Sequence, residues 1–196
     1  IEVRVKRWID EQNMRGEDME ELHPSPWFPC WRLKFDAPLE SPKDSAIHLS
    51  EVQEVGLWCL LGAGSLGSER QLWATWSGVV DNQQNDRMKA RSLEVEFIRL
   101  LAGTHNIDQA FRRVGLKEGD EEGWLAYIPD AELGEGEDVH LPYLNWRDLN
   151  HEAERLAFSV NAVIQSMRPS MALLDAEKLG LEVNISKVDE PSLLAH

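Results

Sequence analysis

The sequence predicts an α+β fold, a helical core packed on a small, mostly antiparallel sheet in a single domain. Three observations carry that expectation. Strand-like stretches stand near both ends and in the middle, apolar positions recur at helical spacing between them, and no regular strand–helix–strand winding repeats. At 196 residues and 42% hydrophobic the chain can bury one sizeable core. The expected domain is 1–178, with 1–55 as divergent N-terminal strands and loops, and 179–196 as a C-terminal extension.

Taken in order, Glu2 to Trp8 alternates as a strand and Trp31 to Asp36 reads as a second. Between them His23-Pro-Ser-Pro-Trp-Phe-Pro-Cys-Trp31 is a rigid aromatic loop, expected to lie as a lid over the core edge, with a binding groove as the alternative. Val55 to Leu61 is an apolar run of strand length. Ser68 is placed to cap a helix over 69–80, with Gln71 at the capping-box spacing. Leu72, Trp73, Trp76, Val79 and Val80 then share one face.

The next helix is expected over 87–102, burying Leu93, Phe97, Leu100 and Leu101, with Gly103 as its stop. Asn106 with Gln109 starts a short helix to residue 114, and Gly115 fits a left-handed C-terminal position. Gly123 to Ile128 reads as a strand closed by Pro129, and Asp130 to Val139 as a Gly- and acid-rich mobile loop. The longest helix is expected over 149–167, with Pro169 breaking it and Met171 to Lys178 as a last helical piece. Leu181 to Val188 reads as a final strand.

Charge is distributed unevenly. Between Asn85 and Lys117 seven Lys or Arg stand against four acids, a net of +3 in a chain of −15, which leaves −18 for the rest. An acidic body disfavours indiscriminate coating of nucleic acid, so any contact with a polyanion is local to this segment. The candidate residues for such a contact are Arg87, Lys89, Arg91, His105, Arg112, Arg113 and Lys117. The first three fall in the turn and first turn of the 87–102 helix, the last three at the far end of the following one. A hairpin of these helices would bring the clusters to one side with His105 at its tip. The alternative is a solvated helical face.

No credible active site emerges. Gly62-Ala-Gly-Ser-Leu-Gly67 matches the dinucleotide-binding spacing and follows an apolar strand. However, the helix after it runs into another helix and not into a second parallel strand. A small nucleotide- or dinucleotide-binding enzyme is the alternative function, and a flexible strand-to-helix turn the simpler reading. The six histidines and two cysteines show no metal-ligand spacing, and no Gly-x-Ser-x-Gly elbow is present. Glu94 and Glu96, two apart, do not share a helix face. The expectation is no catalysis, no cofactor and no metal. No run approaches the roughly 18 apolar residues that cross a bilayer. Ile1-Glu-Val-Arg-Val-Lys lacks the apolar core of a signal peptide, and two cysteines are too few for a disulfide framework. The expected location is cytoplasmic.

From Gln71 through Asp130 the chain resembles the PRPK-binding, TPRKB-like kinase-binding subunits of the KEOPS complex, archaeal type. The residues that carry the likeness are the apolar helix Gln71 to Val80 and Arg87-Met-Lys-Ala-Arg-Ser-Leu-Glu-Val-Glu96. Leu101-Ala-Gly-Thr-His-Asn-Ile-Asp-Gln-Ala-Phe111, Val114-Gly-Leu and the strand Trp124 to Ile128 follow in order. Met171 to Lys178 looks like the family's closing helix, while residues 1–55 match only vaguely. The resemblance implies a non-catalytic subunit of the machinery that threonylcarbamoylates adenosine 37 of tRNA. Such a subunit binds the small kinase/ATPase subunit and helps recruit tRNA by its 3′ end, which makes the seven polyanion candidates above the candidate RNA-binding residues. The kinase is expected on an apolar helical surface, for which Ile107, Phe111, Val163, Ile164, Met167, Leu173 and Leu174 are the candidates. The alternative is that these residues are core.

Overall fold

Strand β1 (Cys30–Phe35) divides its side chains between two cores, and the layers of the molecule follow from that alternation. The computed structural model describes residues 27–54, 56–130, 142, 144–175 and 179. β1 pairs with β3 (Glu122–Ile128) on one side and β4 (Ala162–Gln165) on the other; β2 (Leu57–Gly62) pairs with the far edge of β3. The sheet order is β2-β3-β1-β4 and each of these pairings is antiparallel.

One sheet face carries Cys30, Cys59, Leu61, Trp124, Ala126 and Ile128. Helices α2 (Glu69–Gln84), α3 (Leu93–Leu101) and α4 (Ile107–Val114) cover it with Trp76, Phe97, Ala110 and Val114. The other face carries Trp31, Leu33, Phe35, Trp58, Leu60 and Leu125. It is closed by α1 (Pro42–Val52) through Leu49 and by α5 (Trp146–Ser159) through Ala153, Leu156 and Ala157. The result is an α+β domain with helices on both sides of an antiparallel sheet. Its strand pairing is incompatible with a dinucleotide-binding winding, which needs parallel neighbours.

The caps read from sequence form as expected. The Ser68 hydroxyl accepts the Gln71 N–H at 3.1 Å, and Asn106 Oδ1 accepts the Gln109 N–H at 3.0 Å. Gly103 has φ of 60°, the left-handed conformation that ends α3. Trp27–Trp31 is the described part of the aromatic loop. Phe28 is buried against Trp73 and Phe97, with ring centroids 4.9 and 5.7 Å apart.

Five expectations are corrected. The helix expected over 149–167 ends at Ser159. Asn161, at φ 54°, reverses the chain, and residues 162–165 become β4. The helix expected over 87–102 starts only at Leu93, and residues 85–92 form a loop, so Arg87, Lys89 and Arg91 stand outside the helix. Gly115 is extended (φ −75°, ψ 165°); glycine is needed there because a Cβ would meet the Phe111 carbonyl oxygen at 2.5 Å. The helical piece expected from Met171 is a single 3-10 turn, Met171–Leu173, in the described residues. Helix α1 occupies part of residues 1–55, a region expected to hold only strands and loops. The strands expected at Glu2 to Trp8 and Leu181 to Val188, the loop after Asp130 and residues 176–178 lie outside the described residues.

Candidate functional site

The Gly62–Gly67 turn is occupied by the protein's own groups. The Ser65 N–H donates to the Gly62 carbonyl at 3.1 Å, and the Gly67 N–H to Gln71 Oε1 at 2.9 Å. The Ala63 carbonyl accepts from Arg32 and from the Trp124 indole, and the Gly64 carbonyl from the Asp175 N–H. A Cβ on Gly64 would stand 2.7 Å from Asp175 Cβ, so glycine there admits the close approach of Asp175 and not a pyrophosphate. A depression of about 230 Å³ is lined by residues such as Trp76, Val80, Leu93, Ile128 and Asp130, none of them in the turn. Among the described residues no group of three His, Cys, Asp or Glu is arranged to hold a metal ion.

The basic segment is organised by an ion pair that sequence reasoning passed over. Glu96 and Arg99 face each other across one turn of α3, both buried, with Arg99 Nη2 2.5 Å from Glu96 Oε1 and Arg99 Nε 3.0 Å from Oε2. Asn82 of α2 donates to Glu96 at 2.8 Å, and the Lys89 and Ala90 N–H groups donate at 3.2 and 3.0 Å. Burial alone would push the Glu96 pKa up. The hydrogen bonds from Arg99, the Ala90 N–H and Asn82, together with the Arg99 charge, hold it at about 2. The carboxylate is therefore ionised at neutral pH although no part of it touches water. Only the i, i+3 spacing was visible in sequence; burial of both partners depends on α2 and the 85–92 loop closing over them.

Around this pair the structure brings together part of the expected basic set. Lys89 Nζ donates to His105 Nδ1 at 3.1 Å, joining the 85–92 loop to the α3–α4 loop. Arg99 Nη1 lies 3.3 Å from the same nitrogen and 3.2 Å from the Thr104 carbonyl. Arg113 reaches back along α4 to the Ala102 carbonyl at 2.9 Å, where a cation suits the end of α3. Arg87 pairs with Asp81; Arg91 and Arg112 are exposed. Lys117 falls in a different place. Its N–H binds Asp120, and its turn is tied to Leu39 by hydrogen bonds through Gly119 and Asp120. Of the seven expected residues, Lys117 is thus placed by its own turn beside Leu39 and Asp120, and not by the 85–92 and 102–106 loops.

The expected partner residues divide by burial. Ile107 and Phe111, four apart on α4 and so on one face, are 37% and 42% exposed; Val163 on β4 and Met167 just after it are exposed as well. Leu174 is a correction, being buried at 5% in the core over α2, α3 and α4, with Leu173 packed against the same cluster. Ile164 is half-buried over the α5 face, opposite Leu33. Phe158, 83% exposed on α5, was not among the candidates because the helical pattern did not set it apart.

No curated protein matches the chain. The family comparison does give a match, and it spans β2, α2, α3, α4 and β3, the elements that build the basic loops and the Ile107–Phe111 face. Over residues 45–141 the chain matches the family of kinase binding protein CGI-121, which covers the TPRKB-like proteins.

Proposed function

We propose that this chain is a non-catalytic cytoplasmic adaptor that docks on a small kinase/ATPase subunit through α4. Beside that face it offers tRNA the basic loops of residues 85–92 and 102–106, serving the KEOPS threonylcarbamoylation of adenosine 37. One observation carries the kinase half: the exposed apolar pair Ile107 and Phe111 lies inside the segment that matches a kinase-binding family. Val163 and Met167, more exposed still, lie outside that segment, which favours α4 over β4. Two large side chains held on a short helix are the sort of anchor that a partner pocket buries. The RNA half is supported by the join of Lys89 to His105, in a stretch of net positive charge on an acidic body. Phosphates held there leave bases free to stack on neighbouring rings, as single-strand binders arrange.

The test of the kinase half is affinity purification of the tagged chain from its native cells, which should bring down a small kinase. Filter binding tests the RNA half with the Lys89→Glu/Arg91→Glu variant, on intact tRNA and on tRNA trimmed at its 3′ end. The variant should lose affinity for all tRNA sequences alike, and its salt dependence should flatten by about 0.7 for each phosphate it no longer neutralises. Wild-type-like binding by the variant, or indifference to trimming, removes tRNA from the reading.

A further inference from the structure

A buried ion pair is a poor device for stability alone, since desolvation offsets much of the attraction. What this pair does with its hydrogen bonds is more telling. Helix α3 is already fixed by Phe97, Ile98 and Leu101, all in the core. Beyond each other, Glu96 and Arg99 direct their bonds to the end of α2 and to the two loops. Glu96 takes Asn82 and the Lys89 and Ala90 amides; Arg99 takes the Thr104 carbonyl and the His105 ring. The guanidinium uses Nε and Nη2 on the carboxylate and Nη1 on the α3–α4 loop, a fork that an ammonium cannot copy. Two donors, Lys89 Nζ and Arg99 Nη1, meet at His105 Nδ1, so that nitrogen is the acceptor and the ring proton sits on Nε2.

We propose that the Glu96–Arg99 pair is the positioning element of the RNA-contacting surface. It locks the 85–92 and 102–106 loops together so that the Lys89 ammonium and the His105 Nε2–H present one phosphate-contacting unit. This rests on the RNA half of the proposed function. Arg99, 3% exposed, stays out of reach of the ligand and acts through Lys89 and His105. The surface is thereby preformed, and its cations do not have to be ordered when a phosphate arrives.

Arg99→Lys separates position from charge, since net charge is unchanged and an ion pair to Glu96 is retained. The experiment measures binding of a labelled single-stranded RNA oligonucleotide well below the melting temperature, together with the ¹⁵N signals of the His105 ring. Wild type should show an Nε2-protonated ring. Arg99→Lys should shift those signals toward a tautomer mixture and weaken binding roughly tenfold, about one charge-assisted hydrogen bond. Lys89→Ala, at an exposed position, should weaken binding with an unchanged melt. Equal binding by Arg99→Lys and wild type overturns the positioning role alone, as does a wild-type ring protonated on Nδ1, which needs no variant. A wild type that binds no RNA overturns the reading beneath it.

Discussion

Replacing Glu96 with Gln removes the charge of a wholly buried carboxylate and leaves its shape. The consequence for stability is a function of pH. In the fold Glu96 is held at about 2 against an ordinary value of 4.5, so the unfolded chain binds its proton more readily than the native one. That difference is worth about 3 kcal/mol, fully present above about pH 5 and lost as pH falls toward 2. The glutamine side chain would keep one acceptor for the Lys89 and Ala90 amides, but its amide group would confront Arg99 or Asn82, donors both. Urea unfolding of both proteins from neutral to acid pH is the assay. The variant should be about 3 kcal/mol less stable at pH 7, and the gap should narrow steadily below about pH 5. Contributions from other carboxylates, such as Glu152 beside Arg155 or the burial-raised Glu69, are common to both proteins and cancel in the difference. A gap that stays constant across the range would refute an ionised Glu96 and with it the account of how the basic loops are held.

Other outcomes follow from burial. Leu174→Arg places a charge in the core and should cost about 3–5 kcal/mol, so its thermal melt should fall steeply; an unchanged melt would return Leu174 to the surface. Burial pushes the Cys30 thiol up and raises that of Cys59 to about 12. Neither should react with a thiol reagent until the chain unfolds, and rapid labelling of native protein would contradict the packing. Gly64→Val should destabilise the protein through its collision with Asp175, while leaving any nucleotide affinity where it was; a selective loss of nucleotide binding would revive the alternative function.

Local signals were legible wherever a single element determined them. Ser68 and Asn106 announce their helices because a capping side chain bonds within its own turn, and Gly103 announces a stop because few residues tolerate its φ. Helix α1 had the same kind of signal in Ser41, Pro42 and Asp44. Ser41 does cap it, at 3.2 Å, but Leu49 is its one fully buried residue, so no apolar stripe marks the helix. The end of α5 was misread because Val160, Ala162, Val163 and Ile164 continue an apolar run that suits either state; pairing with β1, more than 120 residues earlier, decides for strand. The site was half visible for a related reason. Composition and charge located the basic segment, yet nothing local says that Glu96 and Arg99 are buried or that Lys89 meets His105. Exposure of Ile107 and burial of Leu174 are likewise products of packing, not of spacing.

The central claim is a kinase-docking face on α4, and calorimetric titration of the purified chain with the small kinase/ATPase subunit tests it most directly. Three proteins are compared: wild type, Ile107→Asp/Phe111→Arg, and Val163→Arg/Met167→Glu. Both variants alter exposed positions, so the three melts should agree within a few degrees. The account predicts a saturable one-to-one complex that the α4 variant abolishes and the β4 variant leaves intact. Intact binding by the α4 variant, or loss confined to the β4 variant, would contradict it.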